Sequence, residues 1–585
     1  MMCGAVSMAQ GDTKQQGFFK RLFSKPTVVV DTTLDSNFYR IRQVSQFIEK
    51  NYVETPDYQM ITEKAVSSML SALDPHSVYI AAKDVQHANE GLQANFDGVG
   101  ISFQIVNDTI SVTDVIVGGP SEKVGVQIGD KLLKVDDTVA TFKGVNNSFV
   151  YRHLRGKRGT EVTITMLRNG VSTPLEFKII RDKIPIYSVD TYFMLDNEVG
   201  YIRLSRFART SHQEVRKAIR ELKEKGMKRL VFDLRGNSGG YLDIAFGIAN
   251  EFLDPGRLIV YTQGEKSPRR EYRSMRGGTY TSSPLVVMID EYSASASEIV
   301  SGAIQDWDRG MLVGRRSFGK GLVQQLFNVY DGAQLRLTTA RYYTPSGRCI
   351  QKPYDKGTDA YNMELRDRYE HNEFLSADSV NYPDSLKFYT SKGRVVYGGG
   401  GIMPDIFVPM DTLRLSDYFL SLRSAGAFNT FALQWADQNR NNPDFASFDD
   451  FMAHYDSTAV AAAFAQYAAE KHINKNDVKG EWVASWMQDE TRKMVADTAH
   501  AIHAESYESY LSQLLSDKQY LEKLTSKALS EDRRRERINR HSEEYMGYLI
   551  KALIARNLYG NEYYYRIMKD EDEGLKKAIQ TVKGI

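Results

Sequence analysis

From Leu34 onward, apolar residues recur at helical spacing. Phe38, Ile41, Val44, Phe47 and Ile48 share one face, and this predicts a helix. A second predicted helix carries Ile61, Ala65, Val66, Met69, Leu70 and Leu73. It stops at Leu73-Asp-Pro-His-Ser-Val-Tyr79, because Pro75 bars continuation. From about Phe96 the period drops toward two. Gly98-Val-Gly-Ile-Ser-Phe-Gln-Ile105 reads as a glycine-rich turn entering a strand. Short strands follow at 110–117, 131–135 and 162–167, with a helix over Asn147–Leu154. Together these form a small β-rich module.

Residues 183–410 alternate strands (199–204, 229–234, 285–289) with helical stretches, the pattern of an α/β domain. One predicted helix opens at Ser211, with Glu214 three residues on in capping-box spacing. Two polar segments interrupt the alternation, at about 263–283 and 352–394. The second is rich in tyrosine and reads as an excursion from the core. Residues 411–585 are mostly helical pattern with almost no proline. The chain therefore divides into 1–10, a polar linker 11–33, a helical region 34–94, the β-rich module 95–182, the α/β core 183–410 and a helical region 411–585.

Composition narrows the class without choosing a function. With 42% hydrophobic and 25% charged residues, the chain of 585 is an ordinary globular protein rather than a disordered one. Its 75 Lys+Arg against 74 Asp+Glu leave a net charge of +1, so nucleic acid is not an expected partner. No apolar run is long enough for a spanning helix. Two cysteines, Cys3 and Cys349, cannot build a disulfide scaffold or a four-cysteine zinc site. The first ten residues are apolar and small, and Ser7-Met8-Ala9 has the form of a signal-peptidase site. They read as the tail of a secretory signal.

Several motifs compete for the chemistry. Gly236-Asn-Ser238-Gly-Gly240 matches the G-x-S-x-G nucleophile elbow. Between it and the helical tail, however, His371 is the only histidine and lies in the polar excursion. Gly314-Arg-Arg-Ser-Phe-Gly319-Lys320 resembles a P-loop, but Gly321 replaces the Mg²⁺-binding Ser/Thr and a strand pattern follows. Ser317-Phe-Gly-Lys320 fits S-x-x-K, which needs a helix that the flanking glycines disfavour. A fourth candidate is the small-residue helix start Ser293-Ala-Ser295-Ala-Ser297-Glu298. There a nucleophile gains from the helix dipole as negative charge develops. No His–Asp pair suits a triad, so lysine is the available base. It acts only when neutral, and lowering its pKa from about 10.4 to about 7 costs roughly 4–5 kcal/mol.

Six co-linear stretches resemble the C-terminal processing peptidases, or tail-specific proteases. They are Leu73-Asp-Pro-His-Ser-Val-Tyr79, Asp233-Leu-Arg-Gly-Asn-Ser-Gly-Gly240, Ser293-Ala-Ser-Ala-Ser-Glu-Ile299, Ser317-Phe-Gly-Lys-Gly-Leu-Val-Gln324, Arg341-Tyr-Tyr-Thr-Pro-Ser-Gly-Arg348 and Gly400-Gly-Ile-Met-Pro-Asp405. The resemblance covers about residues 34–410. It implies a multidomain α+β protein with a helical N-terminal segment, a PDZ-like module, a crotonase-like α/β catalytic core and a helical C-terminal region.

The resemblance also implies a serine endopeptidase that cuts near protein C-termini with a Ser–Lys dyad. Ser295 matches the nucleophile, Lys320 the base and Gln324 the residue holding the lysine. Gly239 or Gly240, with the amide of Ala296, matches the oxyanion hole, and Ser238 becomes a loop residue. No metal, nucleotide or other cofactor is required. In the PDZ-like module Gly98, Val99, Gly100 and Ile101 match the loop that holds a substrate's terminal carboxylate on backbone N–H groups. The peptide would add as a strand beside Ile101–Ile105, against the helix carrying Phe149 and Val150. The expected partners are proteins or peptides captured by their C-termini, and the expected location is the bacterial periplasm or cell envelope. A homo-oligomer and an envelope adaptor protein remain open. The alternative is a PDZ-containing scaffold with a lapsed active site, against which the intact Ser295, Lys320 and Gln324 argue.

Spacing adds one geometric expectation. In a straight strand the Cα atoms of Lys320 and Gln324 would lie about 13 Å apart. Residues 319–322 are therefore expected to bend, through the freedom of Gly319 and Gly321, before the strand from Val323 to Tyr330 becomes regular.

Overall fold

The computed structural model describes residues 32–106, 108–380, 382–473, 490 and 518–585. The secretory-signal expectation for 1–10 and nearly all of the 11–33 linker lie outside the described residues. The N-terminal unit, up to Met69, contains a helix from Thr32 to Asn51 and most of a second from Tyr58 to Ser71. No helix of the described residues is long and apolar enough to cross a membrane.

The core is a six-stranded sheet in the order Val189–Met194, Val199–Leu204, Arg229–Asp233, Leu285–Ile289, Met311–Gly314, Ile406–Phe407. Its first pair is antiparallel and the rest are parallel. Parallel pairing requires helical crossovers. The helices Ser211–Glu224, Leu242–Phe252 and Ala296–Asp306 cover one face with Val215, Ile219, Ile248, Phe252, Val300 and Ile304. The opposite face is closed by the helix Glu573–Gly584, whose Leu575, Ala578 and Val582 pack on Val199, Tyr201, Val231, Val286 and Met288. The sequence pattern places this helix in the tail, yet it belongs to the core. Burying Leu575 and Val582 contributes about 1.5–3 kcal/mol each.

Beside the core sheet, the long strand Gln334–Tyr343 organises a second one. It pairs with Leu322–Asn328, with Leu258–Gln263 and with Val78–Ile80. The Asp74–Tyr79 stretch, grouped by sequence with the N-terminal helices, is thus built into the wall next to Lys320. The β-rich module is a sheet in the order Ile101–Val106, Thr109–Val115, Lys131–Val135, Glu161–Leu167, Leu175–Ile180, with Thr138–Val139 on its third strand. Ile101–Val106 is an edge strand. The module joins the core through the antiparallel pair Asn95–Gly98 and Asp182–Pro185. It also touches the helical region where Asn169 Nδ2 donates to the Asp437 carbonyl at 3.5 Å. That region packs Phe419, Phe428, Phe431, Phe451 and Phe464 against the helix Lys518–Tyr559.

One local expectation differs. The helix begins at Ser211 with Thr210 as N-cap and no side-chain cap. Ser211 Oγ accepts the Ala208 N–H instead. Glu214 accepts the hydroxyl of the N-cap Thr210 on one oxygen and the N–H groups of Ser188 and Val189 at 2.7 and 2.9 Å on the other, tying the helix start to the entry of the core sheet.

Candidate active site

Ser295 sits at the N-cap of the helix Ala296–Asp306, just beyond the buried strand Leu285–Ile289. Its backbone has φ 53° and ψ −110°, a region costly for any residue with a Cβ. The strain turns the chain sharply and leaves Ser295 lining a cavity of about 530 Å³ shared with Ser238, Gly239, Gly240, Lys320, Gln324, Arg336 and Tyr342. The fold thus brings together all six predicted catalytic positions. Gly239 and Gly240 line the cavity, and Ala296 is the buried first residue of the helix.

The Asp233–Gly240 loop is pinned to the turn of Ser295. Asn237 O accepts the Ala294 N–H at 3.0 Å and the Ser297 hydroxyl at 2.8 Å. Gly239 presses so closely that a Cβ would lie 2.9 Å from Ser295 Cβ and 3.0 Å from the Ala296 nitrogen, so only glycine fits. The Gly239 N–H donates to Asn237 Oδ1 at 2.9 Å. Among the described hydrogen bonds, the N–H groups of Gly240 and Ala296 have no partner.

Two buried groups join the Ser295 and Lys320 segments, and the motif search did not assign either a role. Glu298, fully buried, accepts the N–H of Ser295 at 2.7 Å and of Lys320 at 2.9 Å on one oxygen. Its other oxygen takes Ser317 Oγ at 2.5 Å and the Gly319 N–H at 2.7 Å. Burial raises its pKa, opposed by these four donors. The Tyr342 hydroxyl lies 3.1 Å from the Ser295 carbonyl and 2.8 Å from that of Lys320. The S-x-x-E spacing from Ser295 could have pointed to Glu298. Tyr342 falls inside the Arg341–Arg348 stretch, yet nothing local to it points to Ser295, because the contact depends on the pairing of its strand, Gln334–Tyr343.

Lys320 follows Gly319, whose φ is 88°. The strand begins at Leu322, and its register slips between Val323 and Gln324. The bend and the slip together let Lys320 Nζ donate to Gln324 Oε1 at 3.4 Å. Burial lowers the Lys320 pKa, opposed by Glu298 and aided by Arg336. No described hydrogen bond joins Lys320 Nζ to Ser295 Oγ. Gln324 Nε2 donates to the His76 carbonyl. His76 itself is held down to about 4 by burial and by Lys320, so its ring is neutral at neutral pH.

The competing motifs resolve on geometry. Ser317 is buried with its hydroxyl spent on Glu298 and on the Ile402 N–H. The Ser317–Lys320 stretch is irregular, and a strand rather than a helix follows Lys320. His371 ends the helix Gly357–Glu370, and its ring meets the local Asp367 carbonyl at 2.6 Å. That helix lies within the 352–394 excursion and backs the Ser317–Lys320 loop. Arg368 donates to the carbonyls of Ser317 and Arg316 at 3.2 and 2.8 Å, and Tyr361 meets His76 Nε2 at 2.8 Å.

In the β-rich module, Gly98 ends the strand that pairs with Asp182–Pro185, and Val99 and Gly100 lead into the edge strand at Ile101. The Val99 carbonyl accepts the Ser121 hydroxyl at 2.7 Å, which fixes the loop. The helix Asn147–Leu154 packs Phe149 and Val150 with Ile101, Phe103 and Ile105 of that edge strand in one core. Arg155, just past this helix, pairs with Glu90. Glu90 lies on the helix Val85–Gln93, whose Ala88 and Gly91 line the active cavity.

Comparison with known proteins agrees with this anatomy. Residues 198–359 match peptidase family S41, and residues 98–179 match the PDZ domain. Residues 418–485 match a family of unknown function. The chain is 36% identical over 331 residues to a carboxy-terminal-processing protease of Bartonella bacilliformis, covering 55% of this chain and 75% of that protein. It is 32% identical over 350 residues to the carboxy-terminal processing protease CtpA of Bacillus subtilis, covering 60% and 73%. A probable CtpA-like serine protease of Staphylococcus aureus is 32% identical over 331 residues, 55% of this chain and 64% of that one. The chain belongs to the carboxy-terminal-processing proteases of peptidase family S41 and carries their PDZ domain.

Proposed function

We propose that the protein is a serine endopeptidase that cuts proteins near their C-termini with Ser295 and Lys320, its PDZ domain capturing the substrate's end. The observation that carries this reading is the cavity that Ser295, on its strained helix start, shares with the buried Lys320. In this mechanism neutral Lys320 turns from Gln324 toward Ser295 and takes its proton. Ser295 Oγ attacks the scissile carbonyl, and the oxyanion is received by the free N–H groups of Gly240 and Ala296. The ammonium of Lys320 then gives its proton to the departing amine, and water resolves the acyl-enzyme. Gln324 orients the lysine between these steps. Gln324→Ala is expected to lower kcat about tenfold while KM stays within about twofold, as steady-state kinetics will show.

Capture of the substrate end falls to Gly98, Val99, Gly100 and Ile101, with the peptide laid along the open edge of Ile101–Val106. The test is calorimetry on the full-length Ser295→Ala protein with one peptide in two forms, free acid and C-terminal amide. The free acid is expected to bind about tenfold tighter or more, the scale of hydrogen bonds to a charged group. Equal affinities would remove carboxylate capture. An exported location in the cell envelope belongs to this reading and rests on the sequence alone.

A further inference from the structure

We propose that Asp572 is a positioning residue for the oxyanion loop, so that the helix Glu573–Gly584 is a working part of the catalytic unit. The proposal rests on the reading of Gly240 and Ala296 as oxyanion donors. Asp572 takes both terminal nitrogens of Arg235, Nη1 at 2.9 Å and Nη2 at 2.7 Å, a bidentate pair with directional as well as Coulombic strength. On its other side Arg235 donates through Nε and Nη2 to Asp233, at 3.0 and 2.7 Å. Asp233 is fully buried and also held by Tyr201 and Arg203. Arg203 Nη2 in turn donates to the Arg235 carbonyl at 3.1 Å. Both the side chain and the backbone of Arg235 are thus clamped, five residues before Gly240.

The clamp acts at the entry of a loop whose later residues are held by the buried Asn237, bonded to Leu204 and to the Ser295 turn, and by the Phe207 N–H on the Gly239 carbonyl. Gly236 is exposed and bonded through its N–H to Asp290 at 2.9 Å, and Ser238 and Gly240 are exposed beyond it. Asp572 is itself placed by the core. It caps its helix by accepting the Leu575 N–H at 2.9 Å, and Leu575, Ala578 and Val582 are buried on the core sheet. Gly574 lets the helix start approach closely, since a Cβ there would lie 3.1 Å from Arg235 Nη1 and 3.3 Å from Met288 Cε. A segment more than 330 residues along the chain from Arg235 therefore joins these nearer anchors in setting where the oxyanion amide points.

Asp572→Ser tests this in the full chain. Serine keeps the helix cap but is too short to reach Arg235, which retains Asp233. Asp572→Asn keeps the cap and the shape without the charge. On a peptide substrate, Asp572→Ser is expected to lower kcat about tenfold to a hundredfold, the scale of a small misplacement of catalytic groups. KM should stay within about twofold, and affinity for a peptide boronate that mimics the tetrahedral adduct should fall in parallel with kcat. Asp572→Asn should show a smaller loss of the same kind. A folded Asp572→Ser or Asp572→Asn protein with wild-type kcat and boronate affinity overturns the proposal. So does a loss of kcat that only tracks the folded fraction measured by circular dichroism. Wild-type protein that fails to react with a fluorophosphonate at Ser295 would instead sink the functional reading on which the proposal stands.

Discussion

Ser295→Ala is expected to lower peptide cleavage by about 10⁴-fold or more, as loss of an activated serine does in other serine hydrolases. Ser238→Ala and Ser317→Ala are expected to keep a measurable share of activity. The three serines differ in what surrounds them. Ser295 lines the cavity at a helix N-terminus, beside two N–H groups without partners among the described hydrogen bonds. Ser238 lines the same cavity as an exposed residue of the Asp233–Gly240 loop, and no described hydrogen bond gives its hydroxyl a base. Ser317 is buried, its hydroxyl donating to Glu298 and accepting from Ile402. Its removal is expected to loosen Glu298 while leaving Ser295 Oγ in place. Initial rates on one peptide across the three variants decide the assignment, and substantial cleavage by Ser295→Ala overturns it.

Lys320→Arg is expected to be inactive, because the guanidinium holds its proton at any working pH. For the wild type, the sign of the pH dependence follows from burial. Desolvation disfavours the ammonium and lowers the Lys320 pKa, and only partial opposition comes from Glu298. The base-competent neutral form therefore accumulates as pH rises through a value below that of free lysine, about 10.4. The kcat–pH curve should climb and level off before that value. A curve that is flat up to pH 10 would deny Lys320 this role.

Legibility in the sequence followed the range of the interaction. Strict alternation or apolar runs predict strands at 131–135, 199–204 and 285–289, and the strands form at those residues. The helix Asn147–Leu154 also forms as its pattern predicts. The Asp233–Gly240 loop and the turn at Ser295 are marked by runs of glycine and small residues, because their close approach excludes side chains. What periodicity could not show are contacts between polar residues far apart in the chain. The helix Gly357–Glu370 reads as polar excursion because its buried Arg368 is satisfied by Glu373 and by backbone carbonyls rather than by apolar neighbours. Tyr342 lies in a family-like stretch that assigns it no contact and Asp572 lies in none, and their contacts follow from strand pairing and from the return of the last described helix to the core. The Ser211 capping box fails because the cap is Thr210, whose hydroxyl bonds one Glu214 oxygen while the N–H groups of Ser188 and Val189 take the other.

The most direct test of the central claim is peptide mapping by mass spectrometry after the full-length protein reacts with a fluorophosphonate. A single adduct on Ser295, absent from Lys320→Ala protein, is the predicted result. An adduct on Ser238 or Ser317 with Ser295 unmodified would contradict it.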